Sequence, residues 1–116
     1  NNEYKIFNHS NSKIEPINLF DYLKVCQDSK CGEIVVNSVD NDGMMEGYDL
    51  DLISSLRNYI DRPLVINGGC SNPKDIKDAI DKGADACMAA SIFYFTRYSY
   101  ADIKDFLNKE NINIRN

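Results

Sequence analysis

Three short segments carry the residue types that could do chemistry. Asn37 to Gly43, Asn67-Gly68-Gly69 and Ala90-Ser91 each follow an apolar run, and each turns small, polar or glycine-containing where the run stops. Main-chain amides in such loops, with the Ser91 hydroxyl added, have the composition of a phosphate cradle. Glycines without a Cβ let backbone approach a ligand closely or take up φ > 0. A Gly-Gly pair after a strand also serves simply as a tight connection, so spacing alone leaves both readings open. Asp40 and Asp42 are carboxylates at the same end, suited to acid–base work or hydroxyl binding. A solvated turn is the plainer alternative for them. Glu33 lies at the opposite, amino end of its run.

Other chemistries find little support. His9 is the sole histidine and sits in the turn cluster His9-Ser10-Asn11-Ser12, so no Ser/His or Cys/His pair is apparent. The four cysteines, Cys26, Cys31, Cys70 and Cys87, lack CxxC spacing; thiols in a reducing cytoplasm are expected, with neither disulfides nor a metal site. Neither a GxxxxGK[ST] nor a GxGxxG pattern occurs. Net charge is −5 and the basic residues are scattered, which argues against nucleic acid and anionic membranes as partners. No apolar run approaches the ~20 residues of a membrane span.

The elements that must position these loops follow from periodicity. Residues 3–8 alternate as a strand, and Lys13-Ile14-Glu15 can return as a hairpin arm. Pro16 is expected to open a helix to about Lys30, with Ile17, Phe20, Leu23 and Cys26 as its stripe and Leu19 and Tyr22 widening it. Residues 33–39 form a near-continuous β-branched run, a buried parallel strand. Asp49 can cap a helix to about Ile60, with Leu52, Ile53, Leu56, Tyr59 and Ile60 inward. Residues 63–67 are the next strand. Pro73 opens a helix carrying Ile76, Ala79 and Ile80 and ending at Gly83. Residues 85–90 form a third strand. Ser99 and Asp102 begin a last helix that buries Ile103, Phe106 and Leu107. Strands separated by single helices imply an α/β fold with a parallel sheet. Three such units are too few for a closed eight-stranded barrel and suit half of one or a small open sheet. In TIM barrels the loops after strands 7 and 8 hold phosphate, which matches the last two strands here.

These residues are specific enough to support a resemblance. Gly32-Glu33-Ile34-Val35-Val36-Asn37-Ser38-Val39-Asp40-Asn41-Asp42-Gly43 followed by Gly47-Tyr48-Asp49 resembles the cyclase subunit of imidazole glycerol phosphate synthase, the HisF family. So do Asn67-Gly68-Gly69, Gly83-Ala84-Asp85-Ala86, Ala89-Ala90-Ser91-Ile92-Phe93 and the tail Asn111-Ile112-Asn113-Ile114-Arg115. The resemblance implies a (β/α)8 TIM barrel of two similar halves, with residues 1–116 as one domain, the C-terminal half from the strand-5 hairpin to helix 8. It implies an ammonia-dependent cyclisation and lyase step of histidine biosynthesis on a phosphorylated small molecule, in the cytoplasm, without cofactor or metal. Ammonia comes from a glutaminase partner through the barrel. Carried over, Asp42 and Gly43 belong to the substrate loop after strand 6. Gly68, Gly69, Ala90 and Ser91 form the phosphate site, Asn37 and Asn67 line the pocket, and Glu33 stands at the ammonia entrance. The family's two catalytic aspartates lie on strands 1 and 5, so no catalytic residue is expected in this segment, nor cyclase activity from it alone.

The usual cyclase has Thr near Asn37, Arg at Asn41 and Thr at Met44. Asn37-Ser38 with Met45 resembles instead a paralogous branch that amidates a sugar in surface-polysaccharide synthesis. A non-catalytic phosphate-binding module is a third possibility. An apolar inner face containing Val35, Ile66 and their neighbours is expected to drive self-association or pairing with an N-terminal half barrel.

Overall fold

A computed structural model describes residues 3–115; Asn1, Asn2 and Asn116 lie outside the described residues. In chain order the elements are β1 (Phe7–Asn8), β2 (Lys13–Ile14), α1 (Leu19–Asp28), β3 (Ile34–Asn37), α2 (Leu50–Arg57), β4 (Leu64–Asn67), α3 (Pro73–Asp81), β5 (Ala86–Met88), α4 (Ser91–Phe95) and α5 (Tyr100–Lys109). β1 and β2 form the antiparallel hairpin, and β3, β4 and β5 form a parallel sheet in that order. This is a mixed α/β fold compatible with half of a TIM barrel.

Local chemistry sets the helix ends. The Asp49 side chain accepts from the Leu52 N–H at 2.9 Å and caps α2. Asn72 and Asp75 form a reciprocal capping box at α3, and Ser99 and Asp102 do the same at α5. α3 ends in a Schellman pattern, with Gly83 N–H donating to Ile80 O and Ala84 N–H to Ala79 O. α1 starts later than the proline suggested. Asn18 is its cap, its side chain accepting from the Phe20 N–H at 2.8 Å, and Pro16 and Ile17 precede the helix. An Asx side chain satisfies a first-turn amide, which a proline two residues earlier cannot do.

Among the described residues the core lies on the helix side of the sheet. Ile53, Leu56, Leu64, Ile66 and Ile92 are completely buried, with Leu23, Ile76, Ala79, Ile103 and Leu107 packed around them. Each buried leucine or isoleucine contributes on the order of 1.5–3 kcal/mol. Arg57 ties the amino ends of the strands together. It donates to Asp85 Oδ2 at 2.6 Å and to the carbonyls of Gly83, Ile60 and Arg62. Asp85 Oδ2 also accepts the Leu64 N–H.

Two expectations about facing residues are corrected. Ile66 does not belong to the inner face. It pairs with Val36 and Cys87 and is buried under the helices, while Val35, Val65 and Ala86 pair on the opposite face. Strand side chains alternate, and β4 is apolar on both faces, so its composition does not reveal which side each residue takes. Tyr22 and Tyr59 are exposed rather than inward. The Tyr59 ring packs on Phe20 at 4.6 Å, bridging α1 to the segment after α2.

Candidate functional site

All three sequence-selected loops leave the carboxyl end of the parallel sheet. In-register pairing aligns Asn37 with Asn67 and Asn67 with Met88, so the segments that follow begin side by side. The first two are joined by a chain of hydrogen bonds. Ser38 N–H donates to Asn67 O at 3.0 Å, and Asp42 N–H donates to Ser38 O at 2.9 Å. Ser38 Oγ donates to Asn41 Oδ1, Asn41 Nδ2 donates to Gly47 O, and Gly47 N–H donates to Gly69 O at 2.8 Å. Tyr48, buried in the core, carries the third strand: its hydroxyl donates to Met88 O at 2.8 Å.

The two glycines have a reason besides ligand approach. Gly68 and Gly69 take φ of +99° and +107°. A Cβ at Gly68 would lie 2.8 Å from Ser38 O, and one at Gly69 would lie 2.1 Å from Gly47 O. Both are buried, so the space a side chain would need is filled by the neighbouring loop.

Asn37 and Asn67 sit together on the open face of the sheet, with Asn67 Nδ2 donating to Asn37 Oδ1 at 3.0 Å. Asp40, Asp42 and Gly43 are exposed on the loop beyond β3. Ala90 precedes α4 and makes no side-chain cap, and Ser91 is its first residue, half-buried. The amides at the start of α4 therefore have no capping side chain. Glu33 is exposed one residue before β3. By alternation it shares the face of Val35 and Asn37, at the far end of the sheet from the loops. His9 is exposed in the hairpin turn with its ring edge on Phe7, away from the site.

Ser38, Asn41 and Tyr48 build the site, a bonding role that their place in the sequence motifs does not reveal. The available signal was a polar residue closing a β-branched run, followed three positions later by an amide. Cys70 and Cys87 flank Tyr48, and all four cysteines are free. Burial pushes the Cys87 thiol up to about 12 and raises Cys70 as well, so neither is a ready thiolate at neutral pH. Burial also raises the Tyr48 phenol, which stays a hydrogen-bond donor. Among the described residues no group of three or more His, Cys, Asp or Glu is arranged to hold a metal ion, and no helix is long and apolar enough to cross a membrane.

The sequence matches a known family. The model of the histidine biosynthesis proteins matches residues 1–99. The chain belongs to this family. It is similar to the imidazole glycerol phosphate synthase subunit HisF of Petrotoga mobilis, 35% identical over 113 residues, covering 97% of this chain and 45% of that protein. It is likewise similar to HisF of Dehalococcoides mccartyi, 34% identical over 115 residues, covering 98% and 46%. HisF of Halobacterium salinarum is 41% identical over 87 residues, covering 75% and 32%. The chain thus spans about half the length of the curated relatives it matches, or less. Among solved structures, a crystal structure of the Amycolatopsis orientalis BexX/CysO complex aligns with a TM-score of 0.62 at 16% identity, over 84% of this chain and 43% of that one. That likeness concerns the fold alone.

Proposed function

We propose that this chain is the phosphate- and substrate-binding half of a HisF-type barrel, the cyclase subunit of imidazole glycerol phosphate synthase. One observation carries the reading: three polar loops are brought together at the carboxyl ends of three parallel strands, where α/β barrels bind ligands. Amides of Gly68, Gly69 and Ser91 and the Ser91 hydroxyl form the cradle for one substrate phosphate, with Ala90 at the turn. Asp42 and Gly43 close over the substrate, and Asn37 and Asn67 touch its unphosphorylated part. The rigid Ser38–Asn41–Gly47–Gly69 bonding holds the cradle open before substrate arrives, so little ordering cost falls on binding. The general acid–base aspartates are assigned to strands outside these residues, so the chain alone is proposed to bind without turnover. Ammonia reaches the pocket from a glutaminase partner seated at the amino end, past Glu33.

The test is amide chemical-shift titration with inorganic phosphate against a chloride control. Shifts should centre on Gly68, Gly69 and Ser91. Ser91→Ala should weaken binding about tenfold or more, the worth of one hydrogen bond to a charged group. Shifts that chloride reproduces, or that miss these residues, overturn the cradle. A Gly69 substitution is a poor probe, because the Gly47 carbonyl fills the position and folding would be lost with binding.

The sugar-amidating branch is kept as a second reading because the paired amides of Asn37 and Asn67 stand where the usual cyclase has a threonine near Asn37. Restoring activity of a full barrel with Asn37→Thr, on the histidine precursor and on an aminated sugar, separates the two.

A further inference from the structure

The Gly47-Tyr48 segment touches both walls of the proposed cradle without belonging to either. Gly47 N–H donates to Gly69 O at 2.8 Å. The next residue, Tyr48, drops into the core at 5% exposure, and its hydroxyl donates to Met88 O at 2.8 Å. Met88 is the last residue of β5, and Ala89, Ala90 and Ser91 follow it. The glycine loop and the Ser91 turn are therefore bonded to adjacent residues of a third segment. The Cys70 thiol, directly after Gly69, flanks the same phenol. Asn41 braces the segment from the loop beyond β3: its Nδ2 donates to Gly47 O, so both main-chain polar groups of Gly47 are used. Ring and hydroxyl have separable tasks. The ring fills core volume, which phenylalanine would fill as well. The hydroxyl ties the core to the end of β5, and a buried phenol needs such a partner. Burial raises the phenol, so it stays a donor through the ordinary pH range.

We infer that Tyr48 is a positioning residue for phosphate: with Gly47 it sets the separation between the Gly68-Gly69 amides and the Ser91 amide and hydroxyl. The inference rests on the phosphate-cradle reading and deepens it. A tetrahedral anion held by donors from two loops needs those donors at one spacing, because hydrogen bonds weaken steeply as their geometry departs from the optimum. The strand ladder does not supply that spacing. β4 and β5 pair only as far as Asn67 and Met88, so both loops begin where the ladder ends. Beyond that point the bonds of Gly47 and Tyr48 link the two loops through one stretch of chain. Tyr48 touches no substrate in this reading and acts through the residues it holds.

Titration of the whole chain with inorganic phosphate, followed by amide chemical shifts well below each variant's melting temperature, tests it. Tyr48→Phe keeps the ring and removes the hydroxyl. It should raise the phosphate dissociation constant about tenfold. Ile53→Val, a core truncation in α2, should lower the melting temperature and leave the phosphate affinity of the folded chain unchanged. Tyr48→Phe and Ser91→Ala together should lose less than the product of their separate losses, because one removes the group that the other displaces. The natural chain gives a readout that needs no variant to fold. Saturating phosphate should slow hydrogen exchange at the Gly47 amide, which lies outside the cradle, and leave the Glu15 amide of the hairpin unchanged. A natural chain that binds no phosphate at Gly68, Gly69 and Ser91 overturns the cradle and the role of Tyr48 together. Binding by the natural chain that Tyr48→Phe leaves intact, an equal loss in Ile53→Val, fully additive losses with Ser91→Ala, or a Gly47 amide indifferent to phosphate each overturns the role of Tyr48 and leaves the cradle standing.

Discussion

Single residues show how the site was assembled and where sequence reasoning about them was incomplete. Gly68 and Gly69 attract notice as a ligand turn, yet their nearest neighbours are the carbonyls of Ser38 and Gly47. Gly43, on the same rim, meets nothing within 4 Å. The two classes should respond differently to a methyl group. Gly43→Ala costs only left-handed strain, about 1–2 kcal/mol. Gly69→Ala adds a clash with backbone that cannot rotate away, and should exceed about 3 kcal/mol. Denaturant midpoints of the two variants give the comparison; equal losses would remove the packing role assigned to Gly69. A second residue sets an alkaline limit. Burial, then the hydrogen bond to Asp49 and its charge, raise the Tyr4 phenol from 10.0 to about 12. A raised folded value favours the neutral form. The stabilisation is complete below pH 10, where the unfolded phenol is also neutral, and is lost as pH climbs from 10 to about 12. Thermal melts at pH 9 and pH 11 should differ more for the natural chain than for Tyr4→Phe, which has no proton to lose.

At the scale of elements, the legible features are local. The caps Asp49, Asn72-Asp75 and Ser99-Asp102 were readable because a side chain reaches only its own first turn. α3 depends on its cap most clearly, since Asn72 accepts from both Lys74 and Asp75 amides while Asp75 returns bonds to Ser71 and Asn72. Asn72→Ala should lower stability by about 1 kcal/mol, seen as a drop of a few degrees in melting temperature. No change would mean the proline at the first helical position suffices. Facing was less legible. Tyr59 fits the inward stripe of α2 by spacing, but α2 ends at Arg57, and the turn beyond it carries Ile60 into the core and leaves Tyr59 exposed. Strand lengths also shrank: 33–39 became Ile34–Asn37, because Ser38 leaves the ladder to bond Asn41 and the β4 end.

At the scale of the described residues as a whole, the helices pack against one face of the parallel sheet. The helix-covered face is closely packed, with Ile53, Leu56, Leu64, Ile66, Ala79 and Ile92 wholly buried. The other face carries a layer of Val35, Val65 and Ala86 and a layer of Asn37, Asn67 and Met88. In a closed barrel such layers interdigitate across the axis. The loops that would hold substrate are sewn together within the described residues by backbone and side-chain hydrogen bonds.

The order of the strands and of the helices other than α4, the starts of α2, α3 and α5 and the three polar strand ends were determined by sequence alone, because periodicity, capping and turn chemistry act over a few residues; α4 and the Asn18 cap of α1 were not. The family was also legible in sequence, through motifs spread along the chain. Only the tertiary structure decided that Ile66 faces the helices, that Ser38, Asn41 and Gly47 lock the glycine loop, and that Tyr48 anchors the third strand end. Those outcomes depend on register between strands and on contacts between residues tens of positions apart, which no local pattern encodes.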